Sequence, residues 1–196
     1  MDVEAVQLFS ALLALLTLGG AVLLVIVRLV AGRSSAAAAL VAAADDAALW
    51  VAFLVAATAT AGSLYFSEVA DYVPCRLCWF QRIAMYPLVV ILLVAALRGD
   101  RSVRWYVVPL AAIGAAVSTY HYAIEWRPSL EGGACGVGPS CADIWFRELG
   151  FVTLAFMALC AFLTILVLVA VPRRHHHRSS RRPIRPIRPI RPKETT

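Results

Sequence analysis

Pro74-Cys75-Arg76-Leu77-Cys78-Trp79-Phe80-Gln81-Arg82 leads directly into a charge-free interval from Ile83 to Leu97. That interval alone falls short of the roughly 20 residues a helix needs to span a bilayer. It suffices if the helix begins near Cys75 and carries Arg82 in its first turns. Two thiols, a cation and a membrane boundary then fall together. Outward from this stretch, further charge-free intervals run from Ala5 to Val27, Ala47 to Ser67, Trp105 to Ile124 and Leu149 to Pro172. In lipid every backbone amide needs an internal partner, so such segments are helices. The sequence therefore predicts an all-α integral membrane protein with five transmembrane helices. Its 61% hydrophobic content and mean hydropathy of +0.78 exceed what a soluble domain carries. A cleaved signal peptide is the competing reading of the first segment. It would need a basic leader and a shorter apolar core, whereas the chain starts with Asp2 and Glu4.

The basic residues orient the helices. With the N-terminus outside, fourteen of the 18 Lys and Arg residues lie inside: Arg28 and Arg33, then Arg98, Arg101 and Arg104, then nine from Arg173 to Lys193. Only Arg76, Arg82, Arg127 and Arg147 remain outside. Positive charge on the cytoplasmic side selects this topology. Helix one runs near Val6 to Val27, and an Ala-rich interfacial stretch, Ser35 to Ala44, leads into helix two, which ends near Phe66. Helix three descends from Cys75 to Leu97, helix four climbs from Trp105 to about Ile124, and helix five returns after the long loop Glu125 to Glu148. Beyond Pro172, His175-His176-His177, Arg pairs and a Pro-Ile-Arg repeat cannot build a core. This segment is expected to be a disordered cytoplasmic tail drawn to anionic lipid headgroups, by about 1 kcal/mol per basic residue near the surface. Metal binding by the three histidines is the competing reading, but metal sites want ligands on a rigid frame. No nucleic-acid partner is expected.

Four of the five cysteines, Cys75, Cys78, Cys135 and Cys141, fall on the side assigned to the outside, where disulfides persist. Cys160 lies within helix five and reads as a small buried hydrophobe. In Cys75-x-x-Cys78 two thiols one helical turn apart can close an exchangeable disulfide. Pro74 suits a helix start. The helix N-terminus, Arg76 and Arg82 favour thiolate, the nucleophile of exchange. Arg82, four residues after Cys78, shares its helix face; a cation within the membrane edge is a functional candidate by default. It is placed to stabilise a Cys78 thiolate and a carbonyl oxygen of a lipid-soluble electron acceptor. Two bland readings compete: a structural staple, and a four-thiolate zinc site completed by Cys135 and Cys141. The spacer Gly136-Val137-Gly138-Pro139-Ser140, behind Gly132 and Gly133, reads as built for mobility, which favours exchange over a closed cage, so no metal is expected. Cys135 and Cys141 then form a second dithiol, with a loop-closing disulfide as the alternative. Ile144, Trp145, Phe146 and Leu149 interleave with charges as an interfacial anchor would. His121, one turn from Glu125, has a reference pKa near 6.5 and is a candidate proton or hydrogen-bond donor to a reduced acceptor. Ordinary packing explains it equally well.

The motif from Pro74 to Arg82 resembles the signature of the DsbB family of bacterial disulfide-bond formation proteins, including its Gram-positive BdbC branch. The resemblance continues through Thr119-Tyr120-His121-Tyr122, the Cys135 to Cys141 loop and Gly150-Phe151-Val152-Thr153-Leu154, covering roughly residues 47 to 171. It implies a four-helix transmembrane bundle, here residues 35–172; the extra transmembrane helix in 1–34 and the basic tail, 173–196, depart from the family pattern. The resemblance further implies a bacterial inner-membrane thiol:quinone oxidoreductase that reoxidises a DsbA-like thioredoxin-fold protein outside the cytoplasm. On this resemblance Cys135 meets the partner, Cys141 passes the oxidation state to Cys75, and Cys78 faces a membrane quinone, with Arg82 beside it and Trp79 and Phe80 near the quinone ring. The short Cys135 to Cys141 spacing resembles the Gram-positive branch, which puts menaquinone at least level with ubiquinone.

Two other functions compete. A vitamin K epoxide reductase type also couples loop cysteines to a Cys-x-x-Cys motif, but there the active motif follows the loop pair, whereas here it comes first. A non-catalytic membrane scaffold with structural disulfides would leave Arg82 merely snorkelling to the interface.

Overall fold

The computed structural model describes residues 2–133, 135–136 and 138–170; the basic tail, including its histidines, lies outside the described residues. The described chain folds into α1 (Val3–Val30), α2 (Ser35–Glu68), α3 (Arg76–Arg98), α4 (Arg104–Trp126) and α5 (Leu154–Ala170), with a 3-10 turn at Pro128–Leu130. The first four are long and apolar enough to cross a membrane, and α5 is a shorter apolar helix. This is the all-helical membrane architecture that the charge-free intervals lead one to expect.

Three boundaries differ from the sequence reading. The Ala-rich stretch from Ser35 is not a separate interfacial segment but the start of a continuous 34-residue α2. Alanine is the strongest helix former, and the Ser34 hydroxyl accepts the Ala37 amide at 3.4 Å, which starts the helix there. Cys75 is the N-cap of α3 and not its first helical residue. The far end of α3 closes on Gly99, whose φ of 63° lets its amide reach the Ala95 and Ala96 carbonyls. Helix α5 begins five residues later than the charge-free interval, because Glu148 and Val152 first exchange both backbone hydrogen bonds at 2.9 Å. Gly150, at φ 81°, turns the chain between them. Thr153 then starts α5 by accepting the Phe156 amide at 3.3 Å.

The core lies among α2, α3, α4 and α5. Ala48, Ala52 and Ala56 recur every fourth residue on α2 and are buried against Met85, Leu88 and Leu92 of α3 in the same cluster. Small residues at this spacing allow the close backbone approach by which helices associate in lipid. Helix α1 packs on α5 and α2 but buries only Gln7, Ala11 and Ala21. Its exposed Leu12, Leu16, Leu23 and Leu29 suit contact with lipid. Its Arg28 does not snorkel away from the bundle. Arg28 donates to the Asp45 carboxylate at 2.6 Å and to the Val167 carbonyl at 2.7 Å, while Arg101 donates to the Asp45 carbonyl oxygen. This polar knot joins α1, α2, α5 and the α3–α4 turn at the end opposite the cysteines.

Gly114 marks the closest approach of α4 to α5. A Cβ there would lie 2.3 Å from two ring carbons of the buried Phe162. Gly114→Ala is therefore expected to destabilise the bundle by about 1–3 kcal/mol, the usual cost of overpacking. Phe162→Leu in the same chain should restore part of that loss, as read by thermal unfolding in detergent.

Candidate functional site

The site is assembled at the N-terminus of α3. As N-cap, Cys75 offers its sulfur to the Cys78 amide at 3.3 Å, and the two sulfurs stand 3.0 Å apart as free thiols. His121, buried on α4, brings Nε2 to 3.7 Å from the Cys75 sulfur. Behind it the Gln81 amide nitrogen lies 3.3 Å from Nδ1, so the hydrogen-bond network assigns the ring proton to Nε2, aimed at Cys75. These contacts hold the Cys75 thiol down at about 4. The Cys78 thiol hydrogen bond is the largest cause, and a hydrogen bond from His121 adds to it against the opposing effect of burial. These contacts favour the thiolate form of Cys75 over an ordinary thiol, which suits it to thiol–disulfide exchange.

The second pair is a disulfide, Cys135–Cys141, with Cα atoms 6.0 Å apart. It removes two of the four thiolates that a zinc site of four cysteines would need. Gly132, Gly133 and Gly136 all have positive φ, between 49° and 80°. They serve as left-handed turns that fold the loop back on itself, a more specific use than the mobility their number suggests; Val137 lies outside the described residues. Glu131 fastens the closed loop, accepting the Cys141 amide at 3.0 Å and the Ser140 hydroxyl at 2.8 Å. Cys75, Cys135 and Cys141 are buried in one cluster with Leu77 and Ile124, and Cys78 packs against it. The two pairs therefore share one apolar pocket. Two groups of three donors, Cys75, Cys78 and His121 in one and Glu131, Cys135 and Cys141 in the other, bring their ligand atoms within 4.8 Å of one another. In both, thiol chemistry already accounts for the arrangement.

Cys78 also faces the other way. It lines a cavity of about 970 Å³ together with Ser63, Gln81, Arg82 and Met85, as well as a small cleft holding Cys75, His121 and Glu125. Arg82 is fixed at the cavity wall: Nε donates to the Ser63 hydroxyl and Nη2 to the Ser63 carbonyl, both at 3.0 Å. Over its guanidinium lies Trp79, with the ring centroid at 5.2 Å.

The structure brings together Cys75, Cys78, Cys135, Cys141, Arg82 and His121, though His121 stands behind Cys75 and not in the large cavity. Trp79 and Phe80 are half-exposed and are not among the cavity's lining residues; they carry Arg82 and Arg76 on their rings. Cys160 is buried away from both pairs in the core of α5. Sequence reasoning passed over Gln81, Ser63 and Glu131. Gln81 was legible, being three residues after Cys78 and so on the same face. Ser63 and Glu131 carried no local signal. The aromatic segment near Trp145 is irregular and packs on the helix end and loop before α3. Trp145 stacks on Tyr72 with ring centroids 4.6 Å apart, and Tyr72 stacks on Phe66 at 5.7 Å.

A helical membrane bundle with a thiolate-bearing dithiol beside a loop disulfide defines a thiol–disulfide oxidoreductase. The family model described as disulfide bond formation protein DsbB matches residues 45–172, and the chain belongs to that family. Disulfide bond formation protein C of Bacillus subtilis (strain 168) is 44% identical over 124 residues, 63% of this chain and 90% of the relative. A probable disulfide formation protein C 1 of Bacillus cereus is 47% identical over 122 residues, 61% of this chain and 87% of the relative. A probable disulfide formation protein of Oceanobacillus iheyensis is 45% identical over 135 residues, 67% and 90% of the two chains. No solved structure matches. The family model leaves the first 44 residues, and with them α1, outside its match.

The reactivity of Cys75 follows from its depressed value. A thiol lowered to about 4 is ionised above that pH, so alkylation of Cys75 in the reduced protein should vary little between about pH 6 and 8. An ordinary thiol, titrating near 8.5, would gain rate steeply there. Cys78→Ala removes the largest stabiliser and should move the Cys75 titration upward, as read from the pH dependence of alkylation by mass spectrometry.

Proposed function

We propose that the chain accepts electrons from a thioredoxin-fold dithiol outside the cytoplasm, passes them from the Cys135–Cys141 pair to the Cys75–Cys78 pair, and delivers them to a membrane quinone. The observation that carries this reading is the position of Cys78. Its sulfur is 3.0 Å from Cys75, and the residue lines the large apolar cavity beside Arg82. The arrangement of Lys and Arg supports a topology with the cysteine end outside the cytoplasm, in a bacterial plasma membrane.

In the first exchange a partner thiolate attacks Cys135, forming an intermolecular disulfide and releasing Cys141 as thiolate; the second partner thiol then resolves it. The partner is oxidised by two electrons and the loop pair is reduced. In the second exchange the Cys141 thiolate attacks Cys75 of an oxidised Cys75–Cys78 pair, and Cys78 leaves as thiolate. Cys135 then attacks Cys141, re-forming the loop disulfide and freeing Cys75. Each leaving group must be a stable anion, and the three contacts to the Cys75 sulfur supply that stability. Glu131 holds the Cys141 backbone, and His121 holds a proton on Nε2 toward Cys75.

The residues around Cys78 fit a quinone: Arg82 and Gln81 offer donors at one end of a long, chiefly apolar cavity. When bound, a quinone supplies a sink for two electrons and two protons. Arg82, clamped on Ser63, would donate to a quinone carbonyl oxygen, and the aromatic stack of Phe66, Tyr72 and Trp145 would line its head group's surroundings. Either menaquinone or ubiquinone satisfies this chemistry.

Purified protein given a reduced thioredoxin-fold donor and quinone should reduce the quinone, as followed by its absorbance. Cys78→Ser should abolish turnover. Arg82→Ala should raise the quinone concentration needed for half-maximal rate about tenfold or more, the loss expected from a charge-assisted hydrogen bond. Well-folded wild type that reduces no quinone with any of several donors would overturn the reading.

A further inference from the structure

We infer that α1, which lies outside the family match, forms one wall of the acceptor chamber and seats the apolar tail of a lipid-soluble acceptor. This rests on the quinone reading above. Four residues of α1, Val6, Ser10, Leu13 and Thr17, succeed one another every three or four positions and all line the cavity that also contains Cys78 and Arg82. That spacing places them on one helix face. Across from them the cavity is lined by Leu54, Val55 and Thr58 of α2 and by Met157 and Ala158 of α5. The cavity's charged and amide side chains on the matched helices, Arg82 and Gln81, lie at the cysteine end beside Ser63, while Ser10, Thr17 and Thr58 are small hydroxyls among the apolar residues further along. Below Ser63, which holds Arg82, the lining continues along α2 to Val51, twelve residues or about 18 Å of helix. A head group near Arg82 thus leaves a long, chiefly apolar passage beneath it, open to an isoprenoid chain.

Helix α1 is not loosely attached lipid-facing sequence. At the cysteine end the Gln7 amide donates to the Tyr72 hydroxyl at 2.5 Å, and Tyr72 is the middle ring of the stack with Phe66 and Trp145. At the other end Arg28 holds Asp45 of α2 and the Val167 carbonyl of α5. Between these two clamps, one face of α1 stands off from α2 and α3 across the cavity. A gap of this size between chiefly apolar walls would leave their dispersion contacts unmade. In a bilayer its natural occupant is a lipid-soluble molecule. The matched helices supply the chemistry at the head group, and α1 supplies the length.

The test measures binding, independently of turnover. Full-length protein in lipid nanodiscs is titrated with menaquinone, which carries an isoprenoid tail, and with menadione, the same head group without one. Binding is read by quenching of tryptophan fluorescence, since Trp145 lines the cavity. Leu13→Phe narrows the passage, and the milder Thr17→Leu provides a second variant should the first fold poorly. Both are expected to weaken menaquinone about tenfold or more while leaving menadione within about twofold, and Arg82→Ala to weaken both ligands. If menaquinone binds both filled variants as it binds wild type while Arg82→Ala loses it, α1 is no part of the chamber and the quinone reading stands. Equal weakening of both ligands by the filled variants also overturns the tail assignment. Wild type that binds neither ligand overturns both inferences.

Discussion

The Cys75 sulfur receives three contacts at once: the Cys78 thiol at 3.0 Å, the Cys78 amide at 3.3 Å and His121 at 3.7 Å. The amide contact exists because Cys75 is the N-cap of α3, where the first backbone N–H groups have no partner within the helix. An anion there also meets the positive end of the helix dipole. One sulfur thereby both starts a membrane helix and is favoured as an anion. The positions of Gln81, which sets the His121 tautomer, and of Arg82, which faces the cavity, follow from the helical register that Cys75 begins.

The surrounding bundle keeps this polar site at the edge of an apolar medium. Three pairings tie polar side chains across its helices: Arg82 to Ser63, Glu125 to Thr153 at 2.6 Å, Arg28 to Asp45. An unpartnered charge in lipid is costly, so each pairing also fixes a helix against its neighbour. Glu125 is instructive. It accepts the Thr153 hydroxyl, and Thr153 also caps α5, so the helix that carries His121 is joined to the start of the helix that completes the core.

The five helices were legible because lipid forces a simple pattern, long charge-free intervals bounded by charge. The Cys75 to Arg82 motif was legible because helical spacing alone puts Cys78, Gln81 and Arg82 near one face. What the sequence concealed depends on contacts between distant residues. Ser63 looks like one small polar residue in an apolar helix, and only the packing of α2 on α3 brings it to Arg82. Arg28 read as a topology marker, yet it is buried against Asp45. Glu131 gave no sign that it would hold the Cys141 backbone. The Trp145 segment carried no sign of its partner, since only the fold brings Tyr72 under the Trp145 ring.

The central claim is that the loop pair and the helix pair exchange through Cys75 and Cys141. Removing the other cysteine of each pair in the double variant Cys78→Ser/Cys135→Ser leaves those two sulfurs with no other resolving thiol in the pocket. Peptide mapping of the oxidised, non-reduced protein by mass spectrometry should find Cys75 linked to Cys141 as the dominant disulfide. A folded variant in which Cys75 and Cys141 remain separate, free or joined to other thiols would contradict the relay.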